Sequence, residues 1–462
     1  MVARDVLYIY GVDDVKACIE AYPDRRCIVL ESDRDALCNS MLWGHAEGYF
    51  LGDDKTMWRI LLEKLAYDTM ALRIDIVVSS AYRTTHEDDF SYICDTIMTE
   101  RMASMTTAVE FLRYGRTFFR NFFRNNVVEG YQGKQLWHRY NNIPAVICGA
   151  GPSLQKQIPL LRSLEKKAVL FAGGSSLTIL TQQGIVPHYG VAIDPREQEY
   201  DNLFYHSGYE VPCFYRYRLN HKALRLLHGP RLHVDGDLWY PFCHESSDEL
   251  LGGGCSVSCM AVEIAVAMGC NPIVFVGLDM AYTDGKRYSG TFEEEKVHHV
   301  SHTDIYGNAI DTAWHWLAEK EWLHDFVAMK TDTTFLNATE GGIGINGIAN
   351  RPLHDVVATF LMKQRDIRGR SHGELLRKHA VDMSNIRESC ERCIALIKGS
   401  EYETKEWCRL LLEDDLLEQK AYTDIIRPMM AFLAPFFHDD VARFRYIQEA
   451  VAVFLEEMDA VI

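Results

Sequence analysis

The stretch Val146-Ile-Cys-Gly149-Ala-Gly151-Pro152-Ser153-Leu154 sets a Gly-x-Gly turn directly behind an apolar run, with a proline and a hydroxyl following at once. Two glycines permit a tight turn with exposed backbone N–H groups. Proline suits the first helical position, where its missing N–H costs nothing. Ser153 adds a hydroxyl beside the free N–H groups of that helix. The segment therefore reads as an anion seat, worth on the order of 0.3–1 kcal/mol per exposed charge. A phosphate or diphosphate fits it. A dinucleotide does not, because Leu154 stands where G-x-G-x-x-G needs its third glycine, and no Gly-Lys-Ser/Thr follows to make a P-loop. Three further turns close apolar runs: Gly173-Gly174-Ser175-Ser, Asp194-Pro195 and Gly252-Gly-Gly254-Cys-Ser256. Their glycines let a ligand approach, their serines supply hydrogen bonds, and Asp194 can accept from a sugar or base hydroxyl.

Acid–base candidates lie further along. His298, His299 and His302 form the densest histidine cluster. Histidine, with an unperturbed pKa of about 6.5, suits a general base or acid; a solvated loop is the equal alternative. The spacing is weak as a metal site, since catalytic zinc takes three protein ligands and a second shell, and no metal is assigned. Asp279 and Glu340 end predicted strands. Either can orient a substrate hydroxyl or hold Mg²⁺, or merely cap a helix or close a turn. Cys390-Glu-Arg-Cys393 sits in a helical pattern with no second pair to complete a zinc site, and reads as ordinary helix cysteines.

The elements that must position these residues alternate. Apolar runs at 144–148, 168–172, 189–193, near 212–218, at 231–235 and at 273–276 read as strands, and 153–164, 176–183 and 256–268 as helices. The pattern predicts an α/β fold whose core over 144–350 is a Rossmann-like, mostly parallel sheet with ligands at the carboxyl ends of its strands. Residues 1–98 read as a small N-terminal α/β domain. Its first turn, Gly11-Val-Asp-Asp, puts two carboxylates where a phosphate would sit, so no nucleotide is expected there, and Glu31 reads as a solvated strand end. Residues 99–143 form a helical connector in which Phe111, Phe118, Phe119, Phe122 and Phe123 lie among Arg113, Arg116, Arg120 and Arg124, a packing helix rather than a base-stacking one. Glycine nearly vanishes after Arg351, and 351–462 reads as an all-helical domain.

Composition narrows the classes. The 462 residues are 48% apolar and 24% charged, enough for sizeable cores. A formal charge of −17 argues against a whole-chain nucleic-acid or anionic-membrane binder. No window reaches the roughly 18–20 apolar residues of a membrane span. Thirteen scattered cysteines favour reduced thiols and a cytoplasmic protein. Oligomeric state is left open.

Six segments in order, Cys148–Leu154, Phe171–Ser176, Gly184–Asp194, Gly252–Val257, Phe275–Tyr282 and Asn337–Gly342, resemble the motility accessory factor (Maf) family of bacterial glycosyltransferases. The central domain is also similar to archaeal 6-hydroxymethylpterin diphosphokinase (MptE-like) and, distantly, to bacterial sialyltransferases. The flanking α/β unit and helical domain favour Maf. The resemblance implies transfer of a nonulosonic, sialic-acid-like sugar from a CMP-activated donor to a protein such as flagellin, or to a glycan hydroxyl, by inverting displacement with CMP leaving. It places Gly149, Gly151, Pro152 and Ser153 at the phosphate, Gly173, Gly174, Ser175 and Asp194 at the cytidine or ribose, and Gly254 and Ser256 near the donor sugar. The alternative is Mg²⁺-dependent transfer of diphosphate from ATP to a hydroxymethylpterin. A third reading is a non-catalytic scaffold that keeps the nucleotide-binding fold.

Overall fold

The computed structural model describes residues 5–460 except 41–45, 71, 205–209, 235, 237–255, 290–298, 369–374, 381–383, 400–411, 413, 434–435 and 438–439. The chain forms two compact units. One runs to Arg113 and takes in Arg427–Gln448; the other runs from Tyr114 to Ile426 and resumes at Glu449.

In the first unit, β1 (Val6–Tyr10), β2 (Arg26–Glu31), β3 (Ala46–Phe50) and β4 (Ile74–Val78) make a parallel sheet in the order β3-β2-β1-β4. Strand periodicity explains why β1 is apolar at every position. Val6, Tyr8 and Tyr10 enter a core with Trp58 and Leu62, while Leu7 and Ile9 enter another with Val15 and Val29. Glu31 is not the solvated strand end that sequence suggested. It is fully buried, and its Oε1 accepts from Tyr82 Oη at 2.5 Å and from the Asp33 amide at 2.8 Å. The tyrosine lies 51 residues away, a partner that local sequence does not reveal.

The second unit is built on an all-parallel sheet. Its strands are β5 (Tyr131–Gln132), β6 (Ala145–Cys148), β7 (Val169–Gly173), β8 (Tyr189–Ala192), β9 (Cys213–Tyr215), β10 (Arg231–His233), β11 (Ile273–Val276) and β14 (Phe335–Asn337). They are ordered β14-β11-β6-β7-β8-β9-β10-β5. A separate antiparallel ribbon pairs β12 (His299–Thr303) with β13 (Ala309–Ala313). The α/β fold with a Rossmann-like parallel core is thus the observed one. From β6 the chain winds through β7 to β10, then returns to place β11 on the other side of β6. That reversal is the topological switch point, where open α/β sheets bind ligands at the carboxyl edge.

The arginine- and phenylalanine-rich stretch closes the helix Glu87–Asn126. Within the second unit, Arg116 pairs with Glu449, and Arg120 and Arg124 both pair with Glu457, at 2.6–2.8 Å. The rings of Phe119 and Phe454 lie 4.1 Å apart. Arg116, Phe119, Arg120 and Arg124 are thus committed to contacts with Glu449, Phe454 and Glu457. Cys390 and Cys393 are buried in the helix Ser384–Gly399, and burial pushes both thiols up to about 12. No helix among the described residues is long and apolar enough to cross a membrane.

Candidate functional site

At the switch point a glycine closes each strand: Gly277 follows β11, Gly149 follows β6, and Gly173 is the last residue of β7. Three of the site's glycines admit protein rather than ligand: a Cβ at Gly149 would lie 2.3 Å from the Gly277 carbonyl oxygen. A Cβ at Gly151 would lie 2.1 Å from Asp279 Oδ1, and one at Gly173 would lie 1.9 Å from Val257 Cγ1. The Gly149–Ser153 turn therefore closes on Asp279, a carboxylate from the loop after β11. Ser153 donates its hydroxyl to Asp279 Oδ1 at 2.6 Å and its amide to Oδ2 at 3.2 Å.

This corrects the expectation of free N–H groups in the turn and at the helix start, since the Gly149 and Gly151 amides also donate, to the Val276 and Gly277 carbonyls. Ser153 is fully buried and Asp279 is 1% exposed, and buried donors take a partner wherever one is offered. Burial raises the Asp279 pKa, against the lowering effect of the Ser153 hydrogen bonds. Glu340 sits beside the same turn, its Oε2 accepting from Gln157 Nε2 at 3.2 Å and its Oε1 from the Leu353 amide at 3.3 Å. Gln157, one turn into the helix Leu154–Arg162, is a residue sequence reading missed. The structure thus brings Gly149, Gly151, Pro152, Ser153, Asp279 and Glu340 together.

Asp194 and Ser256 are also engaged by protein. Asp194 holds Arg196, with Nη2 at 2.7 Å from Oδ2 and the backbone amide at 2.9 Å from Oδ1. Ser256 caps the helix Val257–Ala267 by accepting from the Cys259 amide at 3.1 Å, and donates to Glu319 at 2.6 Å. Gly173 is the N-cap of the helix Gly174–Gln182, with Ser175 half-buried in its first turn. Gly254 and His298 lie outside the described residues.

The remaining histidines part company. On β12, residues 299, 301 and 303 face one way and 300 and 302 the other. His302 Nδ1 accepts from the Thr303 amide at 2.7 Å. His299 instead stacks on Tyr282, with centroids 4.3 Å apart, and sets Nδ1 3.4 Å from Asp311 Oδ2. The ribbon is docked onto the segment after Asp279: the Tyr282 amide donates to the Asp311 carbonyl at 2.8 Å, and Thr312 Oγ1 donates to the Met280 carbonyl at 2.6 Å. Asp311 carries no signal as a partner in the sequence, where no strand is assigned over 299–313.

Glu199 was also missed. Its carboxyl packs on Gly174 at 5% exposure, and Oε1 has no hydrogen-bond partner among the described residues. Burial, then the charge of Asp194, pushes its pKa up to about 8, while Arg196 pulls it down. A raised folded value means that this group's contribution is complete below its ordinary value of 4.5 and is lost as pH rises through about 8. Urea unfolding at pH 5, 7 and 9 should show wild type losing a few kcal/mol across that window, with Glu199→Gln lacking this component. Parallel pH profiles for the two proteins would refute the assignment.

Residues 116–285 match one family model. It is described as 6-hydroxymethylpterin diphosphokinase MptE-like. The MptE-like segment contains the turn at Gly149, the helix start at Gly174, Asp194, Ser256 and Asp279, but not His299, His302 or Glu340. A solved structure titled MAf glycosyltransferase from Magnetospirillum magneticum AMB-1 matches with a TM-score of 0.62 at 13% identity, over 99% of this chain and 78% of that one. The chain thus has the fold of that protein almost end to end, around an MptE-like core. No curated protein sequence matches the chain.

Proposed function

We propose that the protein is a glycosyltransferase that moves a nonulosonic sugar from a CMP-activated donor to a hydroxyl of a protein, flagellin being one candidate, or of a glycan, in the cytoplasm. The observation that carries this reading is the extent of the fold likeness, which takes in 99% of the chain and not its MptE-like core alone. The donor nucleotide would lie along the carboxyl edge between the Gly149 and Gly173 turns, beside Ser175 and Asp194. In that reading Asp279 holds the Gly149–Ser153 turn in shape instead of touching donor. His299 is the base: Asp311 accepts from Nδ1–H, which leaves the Nε2 lone pair to take the acceptor's proton. Preorganised amides at the start of the helix Gly174–Gln182 would stabilise charge on the departing phosphate.

The diphosphokinase reading draws on the description of the matched family. It would need Mg²⁺, and Asp279 does not fit that need. Both of its oxygens accept from Ser153, and the carboxyl is buried, which leaves it poorly placed to hold a hard cation. Calorimetric titration with CMP and with ATP, each with and without Mg²⁺, separates the readings. Metal-independent preference for CMP, with CMP released when donor and acceptor are both present, is expected. Mg²⁺-dependent preference for ATP would reverse the two, and binding of neither would favour the scaffold.

A further inference from the structure

The amino edge of the second unit's sheet, opposite the site above, holds a cavity of about 280 Å³ where β8, β9 and β10 begin. Leu136, Leu232, Ile367, Leu375 and the ring of Tyr189 give it mostly apolar walls, with one carboxylate, Glu210, and one guanidinium, Arg368, at them. The histidine on its wall adds no charge. His188 Nδ1 accepts from the Leu170 amide at 3.0 Å, which leaves the proton on Nε2, and Nε2 has no partner among the described residues. Burial, then the neighbouring Arg368, lowers its pKa to about 4.

A second cavity, of about 550 Å³, adjoins the first and shares Ile367 and Arg368 with it. Its character is the reverse. It is lined by the cations Lys166, Arg365 and Arg368 against the anions Glu165 and Asp366, a balance of one positive charge. The segment Gln364–Arg368 that divides the two is held at the Arg365 amide, which donates to the Lys166 carbonyl at 2.7 Å. A largely apolar chamber, with Glu210 and Arg368 on its wall, thus opens beside one with a surplus cation.

We propose that the paired cavities bind an amphiphilic carboxylate, with its alkyl chain among Leu136, Leu232 and Leu375 and its head group at Lys166 and Arg368. At the roughly 30 Å³ that each water occupies in the liquid, the first cavity has room for about nine non-hydrogen atoms, the size of a medium-chain fatty acid. The site shares no residue with the carboxyl edge and does not depend on the proposed transferase activity.

The test is calorimetric titration of the full chain with octanoate, octanol and butanoate. Octanoate should bind at one site per chain. Butanoate, with fewer methylenes to bury, should bind at least about tenfold more weakly, and octanol, without the charge, should also be weaker. Leu375→Trp fills the apolar chamber and should abolish binding. Lys166→Glu and Arg368→Glu alter exposed side chains, so they keep the test alive if the tryptophan variant fails to fold. Each should weaken octanoate by about tenfold. CMP should not compete. Absence of saturable octanoate binding, octanol binding as tightly as octanoate, or affinity unmoved by either charge reversal would overturn the proposal.

Discussion

Asp279→Ala is expected to lower the unfolding free energy of the protein by about 3 kcal/mol, read from urea midpoints, because two buried donors lose their acceptor at once. The Ser153 amide and hydroxyl both end on this carboxylate. With Ser153 fully buried, water cannot replace it without opening the turn. The Asp279 carbonyl also accepts from the Ile343 amide at 3.0 Å, so the loop after β14 leans on the same residue. Asp279→Asn should cost only about 1 kcal/mol: its oxygen can take the Ser153 amide while its amide group donates to Ser153 Oγ. The sign with pH follows from burial, which raises the wild-type pKa. The contribution of Asp279 is complete below the ordinary carboxylate value and declines as pH rises through the folded one. The deficit of Asp279→Asn relative to wild type should therefore be smaller at pH 7 than at pH 4. An alanine variant as stable as wild type would show that Ser153 has other partners and that the turn does not need this residue.

That pair marks where the sequence stopped being readable. The strands β6 to β11 were legible because parallel strands buried on both faces are short continuous apolar runs, and Gly149, Gly173 and Gly277 close three of them. Placement of the turns on one edge follows from that pattern. Their partners do not follow, because Ser153 and Asp279 are 126 residues apart. The glycines of the Gly149–Ser153 turn looked like room for a phosphate, whereas Gly151 makes room for Asp279. Asp194 and Ser256 were picked for hydrogen-bonding capacity, which Arg196, Cys259 and Glu319 take up. Glu199 carried no local signal at all, since its unusual state comes from the tertiary packing that buries it beside Asp194. Polar residues chosen by type alone are as apt to complete the scaffold as to meet a ligand.

The histidines are the reverse case, in which the structure separates two described members of a cluster, and the proposed transfer assigns the base to one of them. His299→Ala is expected to lower kcat for CMP release in the presence of donor and acceptor by about 10²–10⁴, the usual worth of a general base, with little change in donor binding. His302→Ala should leave kcat within about twofold of wild type, because β-strand alternation turns it to the other side of the ribbon and its Nδ1 is held by the Thr303 amide. Asp311→Asn probes the link between them. An amide in that place no longer favours the tautomer with its proton on Nδ1, so kcat should fall by about tenfold, with KM unchanged. Tyr282 supplies an independent check. Its ring supports His299 at 4.3 Å, and Tyr282→Phe keeps that ring, so the phenylalanine variant should retain activity where Tyr282→Ala loses it. If His299→Ala keeps more than half of wild-type kcat, the base lies elsewhere and the Asp311 pairing is only a surface contact of the ribbon. Retained nucleotide binding in that variant would still leave the proposed transferase site intact. The two failures are therefore separable in one preparation.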